Sequence, residues 1–365
     1  MSNVLIFSAR MGAGHDGAAH ELARRARSKG HEALVVDFLD AFAWPLGELW
    51  HWFYATQLRH WPESYERSYQ LFYRHRALWA PFVRFERILA GRRSRGWIDR
   101  WNPDVIVSTY SFATLVLGCL RQEGLVRVPT VAFLTDFAVH PRTVHPAIDL
   151  HLAVHPISAA EAAKYVHGEI AAPGPAVDPS YRNQRVERSI ARNALGFGHT
   201  ERVVLVTAGS WGIGANIPAA VAALARDGRF HVVAASGRDT RLKTTLEQAG
   251  CGTVLGWTDA MHLYVAAADV VVENAGGLSS LEAFAAGVPV VSFDPIPGHG
   301  RDNVRMMVRA GVTTAPRDNL QLCDAVAQLV TDTPKRQAQI DAAESMFLRD
   351  PIEPILDLAE VGVAR

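Results

Sequence analysis

The chain has 365 residues, 49% hydrophobic and 20% charged, which is long enough for two domains with full cores and too apolar for a disordered polypeptide. Thirty-seven basic residues balance 37 acidic ones, so the overall charge gives no reason to expect a nucleic-acid partner. The three cysteines, Cys119, Cys251 and Cys323, are dispersed and lack metal-ligand spacing, which excludes a disulfide framework and points to buried thiols in a reducing cytosol.

The apolar runs alternate with helical stretches. Strands are expected at Val4–Phe7, Glu32–Asp37, Val105–Thr109, Thr130–Leu134 and Leu150–Val154, then at Val203–Ala208, His231–Ala235, Thr253–Leu255, Val270–Glu273 and Val288–Phe293. Such alternation predicts an α/β chain with two doubly wound, Rossmann-like domains and a cleft between them. The expected division is a first domain over 1–170, a linker over 171–182, a second domain over 183–345 and a helical tail over 346–365. Gly168–Arg182, with Pro173, Gly174, Pro175 and Pro179, reads as a hinge whose closure accompanies turnover. No cleavable leader is visible ahead of Val4, and no apolar run reaches the roughly 18 residues of a spanning helix, so a cytoplasmic protein with at most peripheral membrane contact is expected.

In chain order, the first candidate site is FSARMGAGHDG, where Gly12, Gly14 and Gly17 surround His15 at the carboxyl end of the first strand. A histidine's ordinary pKa of about 6.5 suits a general base. Gly14 leaves room for an acceptor beside it. Asp136, in FLTDFAVHP, is expected to hold the imidazole tautomer or receive its charge, and His140 lies in the loop that follows. The spacing of His140 and His145 matches no helical metal-ligand pattern, so no metal is assigned.

Between Phe42 and Trp101 the rhythm breaks. Seven of the nine tryptophans fall here (Trp44, Trp50, Trp52, Trp61, Trp79, Trp97 and Trp101), interleaved with arginines such as Arg84, Arg87, Arg92 and Arg93. Two readings stand together: a helical insertion packed on its own aromatics, and a surface for anionic membrane or amphiphilic acceptor in which Trp50 and Trp52 take part.

In the second half, LVTAGSWGIG brings a strand into Gly209, Ser210, Trp211 and Gly212. No acidic residue closes the next strand, where Ala234, Ala235 and Ser236 stand, so a diphosphate cradle is favoured over NAD binding. Trp257 follows a short strand and is expected to hold a flat base, with Met261 close behind it. ENAGGLSSLEAFAAG then supplies Asn274, Gly276, Gly277 and Leu278, a helix capped by Ser279 or Ser280, and Glu282 in its first turn as acceptor of two ribose hydrogen bonds. DPIPGHGRDN, with Gly298, His299 and Asn303, forms a loop on the same edge.

Assembled, these motifs resemble those of the GT-B glycosyltransferases, in the branch containing monogalactosyldiacylglycerol synthases, processive diacylglycerol glucosyltransferases and the lipid II GlcNAc transferase. The carriers are GAGH, TDFAVHP, GSWG, ENAGGLSSLEAFAAGVPVV and PIPGHGRDN. The resemblance implies inverting transfer of a hexose from a UDP-sugar to a lipid hydroxyl such as that of diacylglycerol, with His15 as acceptor base and Glu282 on the ribose. It implies further that the Gly209–Gly212 and Gly276–Leu278 loops hold the diphosphate, that Gly298, His299 and Asn303 face the sugar, and that no cofactor is needed beyond the co-substrate. Two positions depart from the pattern. Relatives often carry Lys or Arg where this chain has Asn274 preceded by Glu273, which leaves Arg301 as the candidate replacement, and plant-type relatives carry an aspartate where this chain has Ala9 and Arg10. A natural-product or polyprenyl-linked acceptor and a UDP-GlcNAc 2-epimerase remain the rival expectations.

Overall fold

A computed structural model describes residues 1–363 apart from His75, Ala215 and Cys251, with the side chains of 72–80 and 361–363 also outside the description. Cys251 and the side chains of Trp79, Tyr73, Arg74 and Arg76 therefore lie outside the described residues. The chain forms two compact units, residues 1–176 with 348–365, and residues 177–347.

The first unit holds β1 (Asn3–Ser8), α1 (Ala13–Ser28), β2 (Glu32–Asp37), α2 (Leu46–His60), α3 (Pro62–Arg74) and α4 (Arg76–Trp101). It continues with β3 (Val105–Ser108), α5 (Ser111–Gln122), β4 (Thr130–Leu134), β5 (Leu150–Ala153), α6 (Pro156–Ala162) and β6 (Glu169–Ala171). Its six strands are parallel in the order β2-β1-β3-β4-β5-β6. Near-continuous apolar runs such as Val4–Phe7 form strands because both sheet faces are covered: Leu5 and Phe7 pack beneath α4 and α5, while Val4 and Ile6 face Leu22, Ala23 and Ala26 of α1.

The edge strand β6 occupies the start of the stretch expected as a hinge, since Ile170 finds a partner in His151 of β5. The C-terminal segment of the chain returns to this unit, burying Ile352 just ahead of the helix Glu353–Val363 and Ile355, Leu356 and Ala359 within it on the α1 side.

The second unit runs α7 (Arg188–Leu195), β7 (Val203–Thr207), α8 (Ile217–Asp227), β8 (His231–Ala235), α9 (Thr240–Gln248), β9 (Thr253–Leu255) and α10 (Met261–Ala267). It then runs β10 (Val270–Glu273), α11 (Leu278–Ala285), β11 (Val290–Ser292), α12 (His299–Arg309), β12 (Thr313–Thr314), α13 (Asn319–Leu329) and α14 (Pro334–Glu344). Its sheet is again six-stranded and parallel, β12-β11-β10-β7-β8-β9. The order places the carboxyl ends of β7, β10 and β11 side by side, which is where ligands of open α/β sheets bind.

The aromatic segment divides by function of packing. Trp97 lies 5.9 Å from the Phe7 ring, Trp101 packs on the same core, and Trp50 meets Phe82 and Phe112 at 5.8 and 5.7 Å. Trp44, Trp52 and Trp61 are 87%, 63% and 62% exposed, and Leu46, Leu49 and Phe53 present a further apolar stripe along α2 at spacings of three and four. Arg10 fastens the insertion to the first βα loop through Asp37 (2.7 Å), Asp40 (2.9 Å) and Glu48 of α2 (2.6 Å), so the departure at this position has a structural use.

Candidate active site

In the first unit, Gly12 precedes α1 with φ 117°, a conformation open to glycine, and lets the chain turn from β1 into the helix. His15 thereby sits in the first turn of α1. Its Nδ1 lies 2.7 Å from the Thr109 carbonyl and 3.3 Å from the Thr135 hydroxyl, residues that follow β3 and β4. A carbonyl only accepts, so Nδ1 carries the proton and Nε2 keeps its lone pair. Nε2 makes no hydrogen bond among the described residues, and Tyr110 braces the ring edge-on at 5.2 Å. A Cβ built at Gly14 meets nothing within 4 Å, so the space beside His15 is open.

Of the two roles expected for Asp136, holding the tautomer falls instead to the Thr109 carbonyl at Nδ1, and Asp136 stands two residues beyond β4. His140 orders its own loop, its Nδ1 accepting from the Arg142 N–H at 3.3 Å and its ring meeting Tyr69 at 6.0 Å. Arg142 in turn stacks over Phe112 at 4.3 Å and faces buried Glu86, 3.6 Å away, whose carboxyl burial raises to about 8 against the pull of Arg142. Trp50 is part of this packed layer rather than a free surface, whereas Trp52 is exposed.

In the second unit, three loops lock together at the carboxyl ends of β7, β10 and β11. Gly209, Ser210, Trp211 and Gly212 form the turn after β7. Gly209 and Gly212 have φ near 65°, and a Cβ on Gly212 would stand 2.5 Å from the Ser236 carbonyl, so only glycine fits there. The side-chain amide of Asn274 donates to the Ile213 carbonyl at 2.7 Å, joining this loop to the one after β10. Glu273 is buried and accepts from the N–H groups of Ala275 (2.7 Å) and Gly276 (2.6 Å) and from the Ser292 hydroxyl (2.5 Å). The Glu273-Asn274 pair thus builds the AGG loop. The third loop joins through Ile296 N–H, which donates to the Asn274 carbonyl at 2.8 Å, and Asn303 is buried against Gly276. Gly298 caps α12, and His299 is its first residue.

Gly277, not a serine, precedes α11, so Leu278 is its first residue, Ser279 and Ser280 lie inside the helix, and Glu282 falls beyond the first turn. Glu282 is met by Tyr181, a residue of the short helical turn Pro179–Tyr181 whose ring also lies 6.5 Å from His262, next to Met261 in α10. Burial raises the Glu282 carboxyl to about 8; the Tyr181 hydrogen bond opposes this shift and Asp178 adds to it. Burial also pushes the Tyr181 phenol up, with Glu282 contributing. Trp257 is half exposed, and one face carries the Arg238 guanidinium at 3.8 Å, so the aromatic expected to hold a base holds a cation.

Sequence reasoning missed Thr109, Thr135, Tyr181 and Arg238. Arg238 alone left a readable trace, a basic residue after SG at a strand end.

Residues 15–168 match the family model of monogalactosyldiacylglycerol (MGDG) synthase, and residues 212–332 match that of glycosyl transferases group 1. The chain is 25% identical over 364 residues to the processive diacylglycerol beta-glucosyltransferase of Bacillus pumilus, covering 97% of this chain and 93% of that protein. Among solved structures, spinosyn rhamnosyltransferase SpnG superposes with a TM-score of 0.64 at 15% identity, over 99% of this chain and all of that one. An Arabidopsis thaliana protein in complex with UDP-L-rhamnose superposes with a TM-score of 0.61 at 14% identity, over 100% of this chain and 98% of that one. The chain is a glycosyltransferase of the GT-B fold, similar along nearly its whole length to processive diacylglycerol beta-glucosyltransferases.

Proposed function

We propose that the protein transfers a hexose from a UDP-sugar, with inversion, to the hydroxyl of a membrane lipid such as diacylglycerol. The observation that carries this reading is His15, whose Nδ1 is committed to the Thr109 carbonyl and whose Nε2 is left as a lone-pair base beside an open first turn. In the reaction His15 Nε2 takes the acceptor's hydroxyl proton as that oxygen bonds to the anomeric carbon. The bond from the anomeric carbon to the diphosphate oxygen breaks, and its electron pair leaves with UDP.

The donor falls to the second unit. The glycine loops and the N-termini of α8 and α11 offer N–H groups to the diphosphate, and Glu282 accepts from the ribose hydroxyls. No resident metal or other cofactor enters this scheme; the UDP-sugar is a co-substrate.

Support for a lipid acceptor comes from the relative's activity and from the exposed Trp44, Trp52 and Trp61 with the α2 stripe, aromatics suited to the water–lipid interface. No helix among the described residues is long and apolar enough to cross a membrane; the association proposed is a peripheral one through this aromatic surface. Incubation with UDP-glucose, UDP-galactose and UDP-GlcNAc, with and without diacylglycerol vesicles, tests the reading. Lipid-dependent UDP release is expected. Sugar isomerisation without lipid would instead establish an epimerase, and turnover only on a soluble acceptor would remove the lipid.

A further inference from the structure

We infer that Arg238 supplies the positive charge for the donor diphosphate that the AGG loop lacks; the inference rests on the nucleotide-sugar reading above. Asn274 cannot provide it, being neutral and committed to Ile213, and Glu273 is spent on the loop itself. Arg238 follows β8, the neighbour of β7, and its backbone N–H donates to the Ser210 carbonyl at 3.0 Å. Gly237 makes that approach possible: at φ 61° a Cβ there would stand 2.3 Å from the Gly209 carbonyl. The turn bearing Arg238 is thus seated against the glycine loop after β7.

The guanidinium is exposed and uncommitted. Its central carbon stands 3.8 Å from the Trp257 ring centroid, yet it has no ion pair and no side-chain hydrogen bond among the described residues. Arg192, Arg336 and Arg185 of this unit are engaged elsewhere: Arg192 with Asp269 at 2.8 Å, Arg336 with the Asp269 carbonyl at 2.7 Å and Arg185 with the Ala286 carbonyl. A guanidinium supported on an aromatic face keeps its edge N–H groups directed outward, in the fork that matches two oxygens of a phosphate. Trp257 accordingly serves as the support of a phosphate-binding cation.

Calorimetric binding of UDP, uridine and inorganic pyrophosphate to the full chain tests this, comparing wild type, Arg238→Ala and Arg238→Lys, each checked for an unchanged melting transition. Arg238→Ala is expected to weaken UDP and pyrophosphate by roughly 10- to 100-fold while uridine changes less than about two-fold, the scale of one charge-assisted contact. Arg238→Lys should recover part of the loss, and the salt dependence of UDP binding should flatten in Arg238→Ala. Unchanged UDP affinity in Arg238→Ala overturns the inference and leaves the donor reading standing, and so does an equal loss of uridine and UDP, which would make the residue a base contact. A wild-type protein that binds neither UDP nor pyrophosphate overturns the donor reading and this inference together.

Discussion

The Nδ1–H of His15 donates to the backbone carbonyl of Thr109 across 2.7 Å, a bond from the first turn of α1 to the end of β3 that leaves Nε2 as the basic nitrogen. Because a main-chain atom sets the tautomer, it survives side-chain changes nearby. Thr135→Val, which removes only the hydroxyl at 3.3 Å, is expected to lower turnover less than about ten-fold, the size of one neutral hydrogen bond. Steady-state rates of the two proteins check this.

Glu273 is expected to matter for stability rather than chemistry. Glu273→Ala would orphan the Ala275 and Gly276 N–H groups and the Ser292 hydroxyl inside the sheet edge, at a cost of about 2–4 kcal/mol. Denaturant unfolding reads the loss, and nucleotide affinity should fall with it because the AGG loop loses its frame. Glu273→Gln, which keeps one acceptor oxygen, should fall between.

Glu282 makes the second unit's stability depend on pH. Its folded carboxyl sits at about 8 against an ordinary 4.5, chiefly through burial, so folding favours the protonated form. That contribution is complete below about 4.5 and is lost as pH rises through about 8. Glu282→Gln, permanently neutral, should therefore gain stability relative to wild type as pH is raised across this interval. Parallel denaturation profiles would refute it. If the carboxylate accepts two ribose hydroxyls, UDP binding near pH 7 should also release a proton, seen as a buffer-dependent heat.

The tryptophans separate by exposure. Replacing Trp44, Trp52 or Trp61 with Ser should weaken binding to anionic vesicles by about ten-fold each without lowering the melting temperature. Trp97→Ala, which removes a ring packed on Phe7, should instead destabilise the first unit by about 2–4 kcal/mol. Flotation assays and thermal melts distinguish the two classes.

The strands were legible because both sheet faces are covered, so runs such as Val203–Val206 are apolar throughout and lead into glycine loops. His15 and the glycine loops could be read for the same reason, since each lies in one βα junction. Thr109, Thr135 and Tyr181 could not: the two threonines reach His15, and Tyr181 reaches Glu282, from other segments, and a threonine after a strand carries no local mark. The pair β5–β6 escaped notice because Glu169–Ala171 is three residues long and flanked by a proline-rich stretch. The N-terminus of α11 was misplaced because ST-rich starts usually cap, whereas here the positive-φ Gly276 and the Glu273 carboxylate shape the turn and Gly277 takes the cap position. Trp97 and Trp52 differ only in which side of a helix meets the core, and the crowded aromatic spacing of 42–101 obscured that periodicity.

The proposed role of His15 as the acceptor's base is tested most directly by UDP release from a UDP-sugar in the presence of diacylglycerol vesicles, by wild type and His15→Ala, with donor binding measured in parallel. Turnover is expected to fall about 10²- to 10⁴-fold at unchanged donor affinity. A His15→Ala protein that binds donor and releases UDP at the wild-type rate would contradict it.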